Sequence, residues 1–171
     1  MGSSHRHFTV SAAVVAVLLL APAHVRAAND TCPAPSIKVS VTGFKDRTGN
    51  VRVELYPAVD GDFLAPRGKL RAEGKTFLRL DNPTPVEGDA VVCVPVPVAG
   101  DYAIAVLHDR NANSKLDVFS DGFGFANNPK LGFAKPDVSE ATVSAGEGET
   151  QLEVVLNYWN GLGARPLRRP R

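Results

Sequence analysis

The chain has 171 residues, in which 19 Lys and Arg stand against 18 Asp and Glu. This length suits one domain with a single core, and the near balance of charge argues against nucleic acid as the main partner. Four arginines lie in the last seven residues. The body of the chain, residues 28–164, therefore has thirteen basic and eighteen acidic residues and a net charge near −5.

The first 27 residues have the pattern of a secretory signal peptide. Arg6 gives a weakly basic start, residues 10–21 are apolar, and Val25 and Ala27 are small residues at the −3 and −1 positions of a cleavage site. An apolar run of about twelve residues is too short to span a bilayer, so a retained anchor is the less favoured alternative. No other segment approaches the length of a transmembrane helix. The sequence predicts an exported protein, periplasmic or extracellular.

From residue 37 onward, apolar and polar residues mostly alternate, and Pro and Gly interrupt the chain at short intervals, as in half-buried β-strands. A helix is conceivable only within residues 62–73, where Pro66 and Gly68 favour a loop with room for one helical turn. About seven short strands predict an all-β fold, a single antiparallel β-sandwich. The predicted strands cover residues 37–41, 51–55, 77–80, 90–94, 102–107, 140–143 and 151–158.

The predicted sandwich domain covers residues 28–160. Residues 161–171 are rich in Gly, Pro and Arg and are expected to form a disordered basic tail. Such a tail can contact an anionic surface, but a solubilising or incidental role is the favoured interpretation.

Cys32 and Cys93 are the two cysteines of the chain. In an exported protein they are expected to form a disulfide that fastens the N-terminal segment to a later strand. Two separate buried thiols are the alternative. Closing a loop of about sixty residues contributes on the order of 4 kcal/mol in the chain-entropy model.

The stretch HDRNANSKLD, residues 108–117, is the most informative in the chain. In a loop that begins at Asp109, it places side-chain oxygens at positions 1, 3, 5 and 9. This spacing wraps oxygen ligands around a calcium ion. Position 7 adds a backbone carbonyl, and Ser120 or Asp121 can add a further oxygen. The predicted ligands are Asp109, Asn111, Asn113, Lys115, Asp117 and Asp121.

Two features weaken this calcium hypothesis. Ser114 occupies position 6, where calcium loops use Gly, and no Glu stands at position 12, so any binding is expected to be weak, with a dissociation constant of about 10⁻⁴ to 10⁻³ M. The same residues can instead cap their own backbone in Asx-turns and shape the loop without a metal. The sequence leaves both interpretations open.

His108 is the only histidine after the signal peptide, which argues against a zinc site. A hydrolase using His108 with Asp109 or Asp121 is the alternative function. Adjacent strand residues point to opposite faces, so Asp109 is poorly placed for this role, and the favoured interpretation is a histidine that ends a strand and bonds the loop.

The segment Gly122–Asn128, GFGFANN, alternates Gly with Phe. Phe123 and Phe125 could form an aromatic platform for a sugar or peptide, with His108 beside it. The favoured alternative is that both rings cover the end of the sandwich.

The stretch from residue 100 to residue 128 resembles a family of exported bacterial proteins, the domain of unknown function DUF2141. The family pattern has a glycine, a Tyr-Ala pair, His-Asp, an Asn-x-Asn loop, an Asp and a Gly-Phe-x-Asn-Asn segment. The chain departs from it at Ser114, where Gly is frequent, and at VFSDG, which replaces a Pro-Lys-Glu link. The matching residues are Gly100, Tyr102, Ala103, His108, Asp109, Asn111, Asn113, Asp117, Gly124, Phe125, Asn127 and Asn128.

The resemblance extends over roughly residues 37–158. It implies an exported β-sandwich of transthyretin-like or immunoglobulin-like type and no established activity. Together with the residues, it predicts a binding or envelope-associated accessory module without catalytic residues. The expected partner is an envelope protein or a carbohydrate, and calcium is the one cofactor considered.

Overall fold

The structure is a computed structural model that describes residues 1–2 and 31–167, and the chain from Thr31 onward forms one compact unit. The predicted signal peptide lies outside the described residues, apart from Met1 and Gly2. Within the described residues, no helix is both long and apolar enough to cross a membrane.

Ten strands, one short α-helix and one 3₁₀-helix make up the described chain. The α-helix, α1, has six residues and lies in the stretch expected to be a loop with one helical turn. In chain order the elements are β1 Ser36–Thr42, β2 Asn50–Pro57, α1 Arg67–Ala72, β3 Leu78–Pro83, β4 Ala90–Pro95, β5 Gly100–Asp109, β6 Gly122–Phe125, the 3₁₀-helix Val138–Ala141, β7 Thr142–Ala145, β8 Glu149–Val155, β9 Asn157–Trp159 and β10 Ala164–Pro166.

The strands form two sheets, which confirms the all-β prediction. The smaller sheet has the order β4-β1-β8, and the larger has the order β10-β9-β6-β5-β2-β3, with β7 paired to β5. The expectation of a purely antiparallel sandwich is wrong at one pair, since β1 and β8 run parallel while the other pairs are antiparallel. Strand β1 lies near the start of the described domain and β8 near its end, so this pair joins parts of the chain that are far apart in sequence.

Period-two alternation places apolar side chains on both faces of the larger sheet. On β5, Ile104 and Val106 face the smaller sheet and join the main core, which contains the buried residues of β1, β2, β4 and β8. Ala103 and Ala105 face the other way, into a second cluster with Phe63 and Leu70. The larger sheet is therefore covered on its outer face by the segment that carries α1.

Three parts of the larger sheet differ from the sequence prediction. The predicted strand 151–158 is two strands that separate at Leu156, since β8 joins the smaller sheet and β9 the larger. Strand β6 was not predicted, because its alternate residues are glycines. Strand β10 falls in the expected disordered tail and pairs with β9, so ordered structure extends beyond residue 160 to Pro166.

The disulfide between Cys32 and Cys93 is present, with a Cα–Cα distance of 5.5 Å. It joins the segment before β1 to β4, as the sequence predicted. The backbone N–H of Cys32 also donates to Glu149 Oε2 on β8, at 2.6 Å. The N-terminal segment is thus fastened to both edge strands of the smaller sheet.

Candidate functional site

The loop after β5 is held by its own Asx side chains. Asp109 is 1 % exposed, and its Oδ1 and Oδ2 accept from the backbone N–H groups of Asn113 at 3.1 Å and Ser114 at 2.8 Å. Asn113 Oδ1 accepts from the N–H of Lys115 at 2.8 Å. Ala112 and Ser114 have positive φ angles of 54° and 65°. These bonds satisfy backbone donors in a conformation that L-residues otherwise avoid.

Asp117 is the point on which the loop side chains converge. Its Oδ2 accepts from Asn111 Nδ2 at 2.8 Å and Asn113 Nδ2 at 2.7 Å. Amide N–H groups, rather than oxygens, therefore point at this carboxylate. Within residues 31–167, no group of three or more His, Cys, Asp or Glu side chains has the arrangement of a metal site.

Asp121 closes the base of the loop from the opposite side. It is fully buried, and its two carboxylate oxygens accept from the backbone N–H groups of Arg110 at 3.1 Å and Asp117 at 2.9 Å. The Arg110 guanidinium pairs with Asp46 and donates to the carbonyl of Ser120. The hydrogen bond from the Arg110 guanidinium holds the pKa of the Asp46 carboxyl well below its usual range. The predicted ligands Asp109 and Asp121 thus hold the loop backbone in place.

His108 lies on the opposite face of β5 from Asp109 and is fully buried. Its Nε2 lies 2.8 Å from the carbonyl oxygen of Thr48. A carbonyl can only accept, so Nε2 carries the proton, and Nδ1 accepts from the Tyr158 hydroxyl at 2.7 Å. Tyr158 in turn accepts from the N–H of Lys45 at 3.0 Å. Burial lowers the pKa of His108 and raises the pKa of Tyr158 to about 12.

This geometry does not form the histidine–carboxylate pair that the hydrolase hypothesis requires. Both ring nitrogens of His108 are occupied by Tyr158 and Thr48, and both oxygens of Asp109 and Asp121 are occupied by backbone N–H groups. His108 is buried, so it has no solvent path to a substrate. It is a structural histidine that fastens β5 to the turn before β2.

Acid should destabilise the fold through His108. Because its pKa is lowered on folding, the unfolded chain binds a proton first, and stability is lost as pH falls through about 6.5 toward the lowered value. We expect the free energy of unfolding to drop as the pH falls below about 6.5, by up to about 1.4 kcal/mol per pH unit. Urea unfolding across this range measures the slope. The control is H108Q, for which the slope should largely vanish, and equal slopes in both proteins would contradict this account.

The Gly-Phe-x-Asn-Asn segment also has a structural role. Phe125 packs edge-on against Phe63 in the second core cluster, at 5.9 Å between centroids, and it also lines a surface cleft. Asn128 accepts from the N–H of Val155 at 2.7 Å and donates to the carbonyl of Glu153 at 3.0 Å. Its amide therefore occupies two backbone groups of β8 as a neighbouring strand would.

The exposed aromatic residues lie elsewhere, around Trp159 at the end of β9. Phe119 and Phe133 are 80 % and 85 % exposed, and each meets the indole edge-on, at centroid distances of 5.8 Å and 5.5 Å. Beside them is an apolar cleft of about 200 Å³. We call Trp159, Phe119, Phe133 and this cleft the Trp159 patch. The cleft is lined by Leu64, Leu116, Val118, Phe123, Phe125, Leu131, Gly132, Phe133, Ala134, Lys135 and Trp159.

Sequence reasoning missed this patch because three separate loops contribute to it. Phe123 was predicted as a ligand contact and does line the cleft, while Phe119 and Phe133 gave no periodic signal. Leu64, also in the cleft, has a φ of 60°. A bulky residue held at positive φ is a form of strain that occurs preferentially at ligand sites. The single tryptophan of the chain was the one available signal.

These features define a two-sheet β-domain in which the Asx side chains after β5 hold a loop and exposed aromatic residues lie beside that loop. The family model for DUF2141, described as an uncharacterized protein conserved in bacteria, matches residues 39–153. The chain therefore belongs to this family. No curated protein and no solved structure matches the chain significantly.

Proposed function

We propose that this protein is an exported, non-catalytic binding module that holds its ligand at the Trp159 patch. The observation that carries this proposal is the pair of almost fully exposed rings, Phe119 and Phe133, packed edge-on against Trp159 above an apolar cleft. Exposed aromatic clusters of this kind are costly in water and are typical of binding surfaces. The ligand is an envelope component with an apolar face, such as a protein segment or the face of a sugar.

The size of the cleft supports a small apolar group as its occupant. An apolar cavity of about 150 Å³ accommodates one benzene ring, so 200 Å³ suits a single aromatic or branched aliphatic group. The lining is aliphatic and aromatic except for Lys135, whose ammonium donates to the carbonyl of Phe63 at 3.3 Å. That arrangement favours binding over catalysis, because Lys135 is the one ionisable side chain among the lining residues and its amine is engaged by a backbone carbonyl.

The amphiphilic dye anilinonaphthalene sulfonate tests the patch, and Trp159, as the only tryptophan, reports on it directly. We expect the dye to quench Trp159 by energy transfer with saturable binding. The variant F119S/F133S should bind at least about ten-fold more weakly, since the two rings together lose more than about 1.4 kcal/mol of apolar contact. V86S, at an 89 % exposed valine outside the patch, is the control. Equal affinity of all three proteins would refute the proposal.

Weak calcium binding by the loop after β5 is a second proposal. The observation that favours it is the convergence of Asn111 and Asn113 on Asp117, since rotating both amides would turn two more oxygens toward that carboxylate. The competing cost is the loss of two bonds, from the N–H of Lys115 to Asn113 Oδ1 and from the N–H of Asn113 to Asn111 Oδ1. Because hydrogen bonds must break before calcium can bind, we expect a dissociation constant for calcium in the millimolar range.

Thermal melts in calcium and in chelator test this second proposal. With a dissociation constant near 1 mM, about 10 mM calcium should add roughly 1.4 kcal/mol of stability and raise the Tm by a few degrees. The variant D117N removes the convergent charge and should abolish the shift. D109A is a poor control by itself, because Asp109 also holds the loop backbone. If calcium did not change the melt of the wild type, the calcium proposal would be refuted, and the Asx hydrogen bonds alone would account for the loop.

We further propose export to the periplasm or cell exterior and a sandwich of transthyretin-like or immunoglobulin-like type. The Cys32–Cys93 disulfide supports an oxidising compartment. Two packed sheets with the first strand at the centre of one support the sandwich type. Cell fractionation with a mass measurement of the N terminus tests export, and a crystal structure tests the topology.

A further inference from the structure

Large exposed hydrophobic residues are concentrated around Trp159. Leu116, Val118 and Phe133 share the apolar cleft with Trp159, and Phe119 contacts its ring. Leu162 and Leu167 lie with Trp159 in a second cavity of about 510 Å³ on the β9–β10 side. These six residues are between 39 % and 85 % exposed. The Trp159 patch therefore continues into a wider apolar surface.

The charges around this surface have one sign. A third cavity, of about 430 Å³, shares Arg165 with the second and Leu131 with the cleft. The described residues that line the three cavities include Lys45, Lys130, Lys135 and Arg165 and no Asp or Glu. Two cavities elsewhere on residues 31–167 each contain an acid, with Asp62 and Asp101 in one and Glu153 in the other.

This basic rim stands on a body of net charge near −5. Among the described residues, no ion pair involves Lys45, Lys130 or Arg165. Asp46, next to Lys45, is already paired with Arg110, and among the described residues no ion pair joins Asp117 to a basic residue of this surface. The surface thus presents apolar side chains together with unneutralised positive charge.

We propose that this surface docks onto an anionic lipid bilayer. The inference rests on the proposed binding function of the Trp159 patch and names its partner class. Aromatic and leucine side chains enter the boundary between headgroups and acyl chains, while Lys and Arg attract anionic headgroups. Charge complementarity between this basic rim and anionic headgroups favours a lipid surface over a sugar or a protein segment.

Vesicle binding by the exported, processed chain tests this inference through Trp159 emission. Phosphatidylcholine vesicles are compared with vesicles containing about 30 % phosphatidylglycerol. We expect a blue shift and sedimentation with the anionic vesicles, at least ten-fold weaker binding to the neutral ones, and loss of binding in high salt. The variants share one N terminus, so its contribution cancels in every comparison.

Two matched double variants separate charge at this surface from total charge. K130E/R165E should weaken partition onto anionic vesicles by at least roughly twenty-five-fold, because each basic residue near the membrane contributes about five-fold. R67E/R71E reverses the same charge on α1 and should weaken it far less. F119S/F133S should lose the blue shift.

Failure of this inference is distinct from failure of the binding function. Absence of partition onto anionic vesicles, with the dye still bound at the patch, would overturn the lipid assignment and favour a protein segment. Equal partition onto neutral vesicles, or equal effects of the two charge reversals, would also overturn it. Loss of both dye and vesicle binding in the wild type would overturn the two proposals together.

Discussion

Replacing Gly49 by alanine should leave a large fraction of the molecules unfolded at ambient temperature. Gly49 has a φ of 70°, and a Cβ on it would lie 2.0 Å from the backbone oxygen of Asp109 and 2.7 Å from the Cα of Arg110. Both are backbone atoms at the exit of β5, so no side-chain rotation relieves the overlap. The relief must instead separate β2 from β5, next to the His108–Thr48 bond. We expect G49A to lose more than about 4 kcal/mol of unfolding free energy.

Gly88 provides a matched control for this substitution. It has the same φ of 70°, but a Cβ there meets no atom within 4 Å. G88A should therefore carry only the cost of the left-handed conformation, about 1–2 kcal/mol. Urea unfolding of both variants measures the difference. If the unfolding free energies of G49A and G88A differed by less than about 1 kcal/mol, Gly49 would not lie as close to the backbone of β5 as described.

Removing the disulfide should have an effect of similar size. The variant C32S/C93S opens a covalent link between residues 61 apart. In the chain-entropy model, such a link contributes about 4 kcal/mol by restricting the unfolded chain. The unfolded state gains freedom, while the folded contacts of β1 with β4 and β8 remain. We expect a lower urea midpoint with little change in the folded circular dichroism spectrum.

Chemical reduction gives an independent measure of the same disulfide. The reductant should lower the stability of the wild type to that of C32S/C93S and leave the variant unchanged. A variant within 1 kcal/mol of the wild type would show that the link contributes little to the fold. Stabilisation by Glu149, which accepts from the Cys32 N–H, would then account for the position of the N-terminal segment.

Local sequence patterns predicted most of the sheets because their strands alternate cleanly. Strand β5 runs from residue 100 to 109 around the predicted 102–107, and β4 matches the predicted 90–94 to within one residue. The patterns failed at β6, where Gly122 and Gly124 replace the alternating side chains. A Cβ at Gly122 would lie 2.5 Å from the Tyr158 ring. Glycine is needed there for a tertiary reason that no local pattern reports.

The loop after β5 was recognised, but its chemistry remained open at the sequence level. Asx-turns and a calcium site use the same residue types at the same spacing, and only the direction of each amide separates them. In the structure, Asn113 Oδ1 accepts from a backbone N–H, while its Nδ2 faces Asp117. That direction depends on the positive φ angles of the loop, which the sequence does not specify.

The Trp159 patch could not be predicted because its residues come from distant parts of the chain. Leu64, Phe119, Phe133 and Trp159 lie in four different segments and share no periodicity. They meet because β6 and β9 are neighbours at one end of the larger sheet. Of the aromatic residues at the cleft, the sequence singled out only Phe123 and Phe125, and it could not place Phe119, Phe133 and Trp159 beside them.

We expect the family motif to stabilise the fold, and we propose that the Trp159 patch binds the ligand. Dye affinity, measured beside unfolding free energy, tests both statements on two variants. N127A loses the bond from Asn127 Nδ2 to the carbonyl of Thr142, at 2.7 Å, and places alanine at a φ of 60°, so it should lose about 2–3 kcal/mol of stability with dye affinity intact. F119S/F133S should keep its stability within about 0.5 kcal/mol and lose the dye. The reverse pattern, with dye binding lost in N127A and kept in F119S/F133S, would contradict the account.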